Sequence, residues 1–410
     1  MAPGHEPKLP TFLMLSVKDT NIINPEGGKV FLHGVNLGGW LMMEGYLLHG
    51  RNIAEKTFKA EFEKRYGREE LGNFTSLYRN SFIKESDFKN IASLGFNCIR
   101  VPFNYRLLEE KNGLEVLKNT VRLCKKYAIY CILDMHASPG CQNKYGHADS
   151  EGEIELWTSD KNQEKFFYLW EILADEFKGE SIVAGYDILN EPVIKTPDAG
   201  KILRDFYAKA VKRIRKIDKD HIIFLEGNVL SQVLEHIGEP FADNLSYSVH
   251  FYHPQEFVFN FHRGLKYPGN ISGEYWDINT VKSKLEPYYN YSRKWNVPIF
   301  VGEFGVNSRC QGCYGELTWV KDMLECFKEF GFHWTYWTYK AVGNSVFPDG
   351  IYQYLANPFW VNRQGPVYGF ENFYTMWEGH KKEIEESWKT ENFTKEKELS
   401  DLLSSFRPAQ

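Results

Sequence analysis

Residues 297–305 read Val-Pro-Ile-Phe-Val-Gly-Glu-Phe-Gly, an apolar run that closes on the carboxylate Glu303. A second apolar run, Ile188-Leu189, closes on Asn190-Glu191-Pro192. Each pattern predicts a buried β-strand that carries one glutamate at its C-terminal end. Because a parallel barrel builds its active site at that end of its strands, we expect the two carboxylates to meet there although they are distant in sequence.

The alternation along the chain predicts a barrel. Apolar runs rich in β-branched residues are predicted strands, at 30–36, 97–102, 129–135, 182–190, 221–226, 245–251, 297–303 and 332–338. Helical periodicity falls between them, at 86–94, 113–127, 163–177, 199–217, 281–295 and 314–330, with a short helix near 229–237. Eight such units over about 310 residues predict an α/β fold, a (β/α)8 TIM barrel with loop insertions on the catalytic face. A doubly wound open sheet is the alternative, but no Gly-x-Gly-x-x-Gly or Walker loop follows the first strand.

Three insertions follow predicted strands and so belong to the catalytic face. Residues 45–80 are charged, contain a predicted helix at 55–66 and are predicted to form a lid over the barrel mouth. Residues 137–159 are polar, and residues 341–369 carry Tyr352, Tyr354, Phe359 and Trp360. Residues 370–410 are predicted to be a helical extension, with one charged helix over 376–406. The whole chain, 1–410, is therefore predicted to be a single catalytic domain.

The composition indicates a globular protein, and its charge favours a neutral substrate. The chain has 410 residues, of which 43% are hydrophobic and 25% charged, enough to bury a large core. A formal net charge of −5 gives no basic stripe, so we expect no nucleic-acid or membrane partner. Aromatic residues make up 16%, and rings not used in the core suit the apolar C–H faces of sugars. The oligomeric state stays open.

Six motifs stand at predicted strand ends. In chain order they are Ile99-Arg100-Val101-Pro102, Leu133-Asp134-Met135-His136, Leu189-Asn190-Glu191-Pro192, Val249-His250-Phe251-Tyr252, Gly302-Glu303-Phe304-Gly305 and Tyr336-Trp337-Thr338. Together they resemble glycoside hydrolase family 5, the cellulase-type family of retaining β-glycosidases, across roughly residues 28–345. The resemblance implies hydrolysis of a β-glycosidic bond in an oligosaccharide, glycoside or polysaccharide by double displacement, with no cofactor.

The resemblance implies that Glu191 is the general acid/base and Glu303 the nucleophile. A general acid must hold a proton, and burial beside a second carboxylate is expected to raise the pKa of Glu191. Arg100 and Tyr252 are expected to keep Glu303 ionised by charge and hydrogen bond. The other implied roles are hydrogen bonds to the carboxylates or the sugar from His136 and His250, a contact from Asn190 to the sugar 2-hydroxyl, and stacking of the reactive sugar on Trp337. Asp134, Asp187 and Glu226 are expected to be structural.

The segment after the first strand bears on specificity. Val35-Asn36-Leu37-Gly38-Gly39-Trp40-Leu41, followed by Glu44, resembles the exo-β-1,3-glucanase branch, in which an acidic residue blocks the cleft. The resemblance implies that Glu44, Trp40 and Asn36 bind substrate and that the enzyme is exo-acting on β-linked glucosides or glucans. The alternative for the glycines is a tight turn with a packed Trp40.

Other functions share this scaffold. An endo-β-1,4-glucanase, a β-mannanase or a β-mannosidase would use the same catalytic residues. A non-catalytic carbohydrate-binding barrel would be expected to lack Glu191 or Glu303, and both are present.

The cysteines and the N-terminus support two expected absences. Seven cysteines predict no disulfide framework. Cys310-Gln-Gly-Cys313 has redox or zinc-site spacing, but no second pair or His-x-His cluster accompanies it, so we predict no metal. Because the first residues lack a charged segment followed by an apolar one, we expect a cytoplasmic protein; a secreted chain whose signal had been removed would look the same.

Overall fold

The computed structural model describes residues 13–48, 52–308, 314–342, 346–354 and 373–406. Its centre is a closed barrel of eight parallel strands. They are β1 (His33–Asn36), β2 (Cys98–Asn104), β3 (Tyr130–Ala137), β4 (Val183–Asp187), β5 (Ile222–Glu226), β6 (Leu245–His250), β7 (Ile299–Phe304) and β8 (His333–Tyr336). Trp334 of β8 pairs with His33 of β1 and closes the ring. The predicted (β/α)8 barrel is confirmed, and each of its eight strands overlaps the range predicted for it.

Helices lie between the barrel strands and after the last of them. Between strands they are α1 (Glu55–Phe82), α2 (Glu85–Ser93), α3 (Gly113–Tyr127), α4 (Asp160–Phe177), α5 (Ala199–Arg215), α6 (Ile278–Trp295) and α7 (Glu316–Phe330), and α8 (Phe373–Glu386) and α9 (Lys397–Ser405) follow the last barrel strand. In α3, Leu117, Val121 and Cys124 are buried at the three- and four-residue spacing of one helix face. Asp277 starts α6 by accepting the N–H groups of Asn279 and Thr280 at 2.9 and 3.0 Å. Within the described residues, every helix is too short or too polar to cross a bilayer.

Shorter elements lie outside the barrel. Two antiparallel hairpins pair Ser16–Lys18 with Asn21–Ile23 and Gly269–Ile271 with Glu274–Trp276. A three-stranded sheet contains Lys340–Val342, Tyr352–Tyr354 and Thr394–Lys395. Single-turn helices and 3-10 turns lie at Gly45–Leu48, Tyr105–Glu109, Gly146–Ala148, Asn228–Ser231, Leu234–His236, Gln255–Val258 and Thr390–Asn392.

The two ends of the barrel differ in polarity. Leu15 and Ile22 from the first hairpin pack with Cys98, Ile132 and Phe300 of the strands in one apolar cluster. Burial of such side chains is the main favourable term in folding, so this end is built for stability. The polar strand-end motifs lie at the opposite, C-terminal end, where barrel enzymes place their chemistry.

The helix of the first insertion does not cover the barrel mouth. The predicted helix at 55–66 continues to Phe82, with a break at Gly67, whose φ of +85° favours glycine. Phe62 and Phe74 of α1 pack against Trp377 of α8, with ring centroids 5.8 and 5.0 Å apart. The helix therefore lies against the C-terminal extension. Within the predicted lid, Tyr46 and Asn52 are the residues that line the cavity described below.

The prediction of one C-terminal helix over 376–406 is wrong. Helices α8 and α9 are separated by a 3-10 turn and by Thr394–Lys395, which pairs with Tyr352–Tyr354. Strand pairing by this short segment interrupts the helical ladder. The predicted features Phe359, Trp360, Cys310 and Cys313 lie outside the described residues, and the five described cysteines are free and buried.

Lys340 joins the C-terminal extension to the barrel. Its buried ammonium donates to the carbonyl oxygens of Phe82 and Trp388, the latter at 2.8 Å, and to the Thr390 hydroxyl at 2.9 Å. It also lies 4.2 Å from the centroid of the Phe82 ring. Burial lowers the pKa of Lys340 to about 7.

We expect Lys340→Met to lower the free energy of unfolding by at least about 2 kcal/mol, because two buried carbonyl oxygens lose their donor. Between the folded pKa of about 7 and the ordinary value of 10.5, the unfolded chain binds more protons at this lysine. The stability contribution of Lys340 therefore rises with pH in that window, and the difference between wild type and variant should widen.

Chemical denaturation at two pH values in that window measures both effects. Lys397→Met is the control, because the Lys397 side chain is 82% exposed and its ion pair with Asp401 is screened by solvent. Equal stabilities for the Lys340 and Lys397 variants would contradict the assignment.

Candidate active site

Arg100 on β2 is the centre of the polar cluster at the C-terminal end of the barrel. Its side chain is fully buried and donates to Glu303 Oε1 at 2.8 Å. It also donates to Asp187 Oδ2 and to Glu226 Oε1, each at 2.9 Å. Asp134 Oδ2 lies 3.1 Å from its Nη2 atom. The planar guanidinium, with five N–H donors, can serve this many acceptors at once, which a lysine could not.

Four carboxyl groups crowd this one cation, and their pKa values separate accordingly. Burial, followed by repulsion from Glu226, raises the pKa of Asp187 well above its usual range. Burial raises the pKa of Asp134 to about 8, although Arg100 opposes the rise. Burial therefore disfavours the charged form of both acids, although Arg100 contacts each of them as well as Glu226 and Glu303. This is the structural role expected for Asp134 and Asp187.

Glu303 is held from two sides by the partners predicted for it. Its Oε1 atom accepts from Arg100, and its Oε2 atom accepts from the Tyr252 hydroxyl at 2.8 Å. Two donors on two different oxygens leave the carboxylate little freedom to rotate. They also place a cation and a hydroxyl donor against the two oxygens of the proposed nucleophile.

A local irregularity of β7 aims Glu303 into the barrel mouth. The register against β6 shifts between Val301 and Glu303, and such a bulge redirects the side chain that follows it. A Cβ atom at Gly302 would lie 2.9 Å from Ser248 Oγ and 3.1 Å from His250 Nε2. Glycine at this position therefore lets the strand approach its neighbour closely.

Glu191 lies beyond its strand. We predicted that β4 would extend to residue 190, but it ends at Asp187, and Glu191 has a φ of +47°, which is unusual for a residue with a side chain. Its backbone N–H donates to Glu226 Oε2 at 2.7 Å. Its Oε1 atom bonds His250 Nδ1 at 2.8 Å, and its Oε2 atom lies 3.0 Å from His147 Nε2.

The separation of the two glutamates suits double displacement. One carboxylate oxygen of Glu191 and one of Glu303 lie within 4.8 Å of each other. Retaining glycosidases hold the two carboxyl groups about 5–5.5 Å apart, whereas inverting enzymes need about 6.5–9.5 Å to admit a water molecule. The arrangement therefore fits direct attack by Glu303.

The expected rise in the pKa of Glu191 is wrong for this arrangement. Burial raises that pKa, but hydrogen bonds from His147 and His250 outweigh burial and hold the pKa of Glu191 well below its usual range. Burial lowers the pKa of His250, yet Glu226 and Glu303 outweigh it and raise that pKa well above its usual range. The low pKa of Glu191 therefore comes from its two imidazole neighbours, whose hydrogen bonds favour the carboxylate form.

A cavity of about 340 Å³ opens in front of the two glutamates. Its volume lies in the range of small-molecule sites, about 300–1,000 Å³. All three insertions reach it, through Tyr46 and Asn52, Tyr145 and His147, and Phe347 and Pro348. The other lining residues are Glu44, His136, Glu191, Leu230, Gln232, Tyr252, Gln255, Phe259, Phe261, Glu303 and Trp337.

Trp337 and His136 form one wall of the cavity. Their rings stack with centroids 5.4 Å apart and an interplanar angle of 10°. The Trp337 indole N–H donates to the Tyr46 hydroxyl at 2.6 Å. His136 Nδ1 bonds Asp134 at 2.8 Å, and its Nε2 atom lies 3.9 Å from Glu44. Burial lowers the pKa of His136 to about 3, so this ring is neutral.

Two residues predicted to contact substrate, Asn36 and Trp40, do not line the cavity. Asn36 is fully buried below the cavity, where its Oδ1 atom accepts from Arg100 Nη1 at 3.1 Å. Trp40 is not among the residues that line the cavity, and its indole N–H donates to the carbonyl oxygen of Arg79 at 2.9 Å. Asn36 thus contacts Arg100, and the contact of Trp40 suits the packing alternative for the Gly-Gly-Trp segment, while substrate binding by either residue stays a prediction.

Asn190 is brought to the site without lining the cavity. It is fully buried, and its Oδ1 atom accepts from Arg100 Nη2 at 2.9 Å. Its contact with a sugar 2-hydroxyl stays a prediction. The sequence reasoning missed His147 and Tyr46. Tyr46 stands two residues after Glu44, and this proximity to a predicted site residue is a signal that could have identified it. No local pattern marks His147.

Two acidic clusters have spacing that suits a cation. The ligand atoms of Asp134, Asp187 and Glu226 lie within 4.8 Å of one another, as do those of Glu191, His250 and Glu303. Arg100 already contacts all three members of the first cluster and Glu303 of the second. The guanidinium thus balances their charge from inside the protein.

Comparisons with known proteins extend over the same strand-end motifs. The model of the cellulase family, glycosyl hydrolase family 5, matches residues 60–343. A β-xylosidase of Phanerodontia chrysosporium is 31% identical over 353 residues, which cover 80% of this chain and 71% of that protein. Endoglucanase C of Acetivibrio thermocellus is 24% identical and covers 77% of this chain and 93% of its own. A probable glucan 1,3-β-glucosidase A of Aspergillus fumigatus is 27% identical over 49% of this chain and 50% of its own.

Proposed function

We propose that this chain, which belongs to the cellulase family of glycosyl hydrolases, family 5, removes single sugars from the ends of β-linked glucosides or glucans. Family membership makes it a glycoside hydrolase, and the spacing of Glu191 and Glu303 supports retention of configuration. The exo-acting mode and the gluco-configured sugar are the proposed part.

The observation that carries the exo-acting mode is the position of Glu44. This side chain is 2% exposed, yet it lines the cavity and hydrogen-bonds the Tyr46 hydroxyl, which Trp337 orients. Among the described residues its Oε1 atom has no hydrogen-bond partner. A buried polar atom left in this state costs about 1–3 kcal/mol, which a sugar hydroxyl in the cavity would recover.

The environment of Glu44 also favours a neutral hydroxyl ligand. Burial, followed by repulsion from Glu303 and Glu191, raises the pKa of Glu44 well above its usual range. Whether ionised or protonated, the carboxyl group can accept a hydrogen bond from a sugar. A side chain fixed at this depth supports a pocket, because it occupies space beside the reactive sugar that an open groove would leave for the next sugar unit.

The similar proteins include both exo-acting and endo-acting enzymes by name. The names β-xylosidase and glucan 1,3-β-glucosidase favour attack at a chain end, and endoglucanase C favours the endo-acting alternative. Because the β-xylosidase has 31% identity, a terminal xylose is the nearest competitor to glucose. A xyloside lacks the exocyclic hydroxymethyl group, so one pair of substrates separates the two sugars.

The proposed reaction uses both glutamates in two steps. Glu303 attacks the anomeric carbon and forms a glycosyl ester, while Glu191 gives a proton to the departing oxygen. Glu191 then takes a proton from water, and the water oxygen replaces Glu303 at the anomeric carbon. Arg100 and Tyr252 contact the two oxygens of Glu303 and stabilise its charge when it leaves.

We expect Glu44→Ala to lower kcat/KM on an aryl β-glucoside by roughly ten- to hundred-fold, because a sugar hydroxyl loses its buried hydrogen-bond acceptor. Glu61→Ala is the matched control, because Glu61 lies on α1 with a side chain that is 52% exposed. The wild type should release monosaccharide from a soluble β-glucan from the start, with little loss of viscosity.

Rapid loss of viscosity with mixed oligosaccharides would instead show an open cleft and favour the endo-glucanase alternative. Parallel rates on nitrophenyl β-glucoside, β-xyloside, β-mannoside and β-galactoside identify the sugar. A preference for the mannoside would replace the glucoside proposal by a β-mannosidase.

A further inference from the structure

Both oxygens of Glu191 are held by imidazoles, and the two rings have different surroundings. His250 is 1% exposed, and its ring nitrogens also lie 3.5 Å from Glu303 and 3.3 Å from Glu226, so its charge is shared among three carboxylates. His147 lies in the second insertion, lines the cavity and has a side chain that is 18% exposed. His147 is therefore the imidazole partner of Glu191 that lines the cavity beside it.

Asn143 gives the contact between His147 and Glu191 a defined polarity. Its Oδ1 atom accepts the Tyr145 backbone N–H at 2.9 Å, so its amide nitrogen is the donor end. That nitrogen donates to the Glu191 carbonyl oxygen at 2.9 Å and lies 3.1 Å from His147 Nε2. An N–H pointing at Nε2 favours Nε2 as an acceptor.

Two positions for one proton follow from this geometry. When Nε2 is unprotonated, its single lone pair faces both the Asn143 N–H and Glu191, and a hydrogen in its 3.0 Å contact with Glu191 then belongs to the carboxyl group. When Nε2 carries the proton, it donates to the Glu191 carboxylate. Its N–H is then close to the Asn143 N–H, and two donors face each other. Attraction between the imidazolium and the carboxylate favours the second state, and Asn143 favours the first.

We propose that His147 is a positioning residue that shares the catalytic proton with Glu191 and so keeps Glu191 supplied as general acid. In the first step the shared proton passes to the glycosidic oxygen as the bond from that oxygen to the anomeric carbon breaks. The pair is then a neutral His147 beside a Glu191 carboxylate. In the second step the attacking water gives its proton to Glu191, and the pair holds one proton again. This inference rests on family membership and not on the exo-acting mode.

Other groups around His147 complete its electrostatic setting. The Tyr145 ring stacks on His147 with centroids 5.6 Å apart, and His136 approaches edge-on at 6.0 Å. Behind these and Glu191 lie the titratable groups Glu44, Glu226, His250 and Glu303, with Lys144 over the Tyr145 ring. His136 is neutral, and Glu191 and Asn143 are the polar groups in direct contact with His147 Nε2.

The test compares leaving groups in His147→Ala and His147→Gln. General acid catalysis contributes about 10²–10⁴-fold, so we expect each variant to lose about 100-fold in kcat/KM on a phenyl β-glycoside. A dinitrophenyl leaving group needs no proton, so kcat/KM on that glycoside should fall by no more than about three-fold. Glutamine can still donate to Glu191 but cannot release a proton, so it should not restore activity. Added imidazole should rescue His147→Ala and leave His147→Gln unchanged.

The test substrates are glycosides of glucose, or of cellobiose if the wild type proves endo-acting. Failure of the exo-acting proposal therefore leaves this test intact. His262→Gln is the control, because His262 is exposed and does not line the cavity. A further readout uses the wild type alone: the ¹⁵N shift of His147 Nε2 should lie between the protonated and unprotonated values at the pH of maximal activity. Equal losses on both leaving groups, full activity of His147→Gln, or an Nε2 shift at either extreme would overturn the proposal.

Discussion

Glu303→Ala is expected to lower kcat/KM by at least about 10⁴-fold on every substrate, whatever its leaving group, because no covalent intermediate can form without the attacking carboxylate. The loss should exceed that of any other single change, since Arg100 and Tyr252 have no catalytic partner once Glu303 is removed. Steady-state rates on dinitrophenyl and phenyl glycosides measure it. Glu239→Ala, at an exposed position, is the control for handling and folding.

Azide distinguishes loss of the nucleophile from loss of the fold. In the Glu303→Ala variant the anion would occupy the vacated space beside Arg100 and attack the same face of the sugar. We expect an α-glycosyl azide from a β-glycoside with an activated leaving group. Near-normal turnover of the variant would remove Glu303 from the reaction. Release of the α-anomer first by the wild type would show that the mechanism is not double displacement.

Glu191→Ala should give a second large loss that depends on the leaving group. On a phenyl glycoside, which needs a proton, we expect kcat/KM to fall by about 10²–10⁴-fold. On a dinitrophenyl glycoside kcat/KM should change little, while kcat falls because no base activates water in the second step. Azide needs no base, so it should restore kcat and give the β-glycosyl azide.

A pH profile adds an independent check on Glu191. The wild-type profile of kcat/KM for the phenyl glycoside should contain a limb from the ionisation of Glu191, and the variant should lose that limb. Equal losses of Glu191→Ala on both leaving groups would count against its role as general acid. Glu239→Ala serves again as the control.

The strands were predictable because their signals are local. In a segment such as 297–303, apolar residues that include β-branched side chains are flanked by Pro298 and Gly302. This pattern predicts a buried strand wherever it occurs in the chain. Since all parallel strands end on one side, Arg100, His250 and Glu303 could be placed at one face without knowledge of the strand order. The insertion helix was predicted only to residue 66, because the Gly67 break ended the pattern that the helix resumes beyond it.

The direction of individual side chains was not predictable in the same way. Trp40 and Asn36 stand next to a strand end in sequence, but Trp40 turns toward Arg79 and Asn36 is buried below the cavity beside Arg100. Whether a residue near a strand end faces the cavity depends on the path of the loop and on its packing partners. The segment that resembles a substrate-binding turn therefore contributes Glu44 to the cavity wall and not Trp40.

The motif order, and with it the barrel and the pair Glu191 and Glu303, is determined by the sequence, because hydrophobic period and strand-end residues are properties of short segments. The protonation of that pair is decided only by the tertiary structure. His147 is 44 positions from Glu191 in sequence, and it reaches Oε2 at 3.0 Å only because the second insertion folds back over the barrel mouth. Electrostatic interactions depend on distances through space, so the pKa of Glu191 is lowered by imidazoles that no local pattern assigns to it.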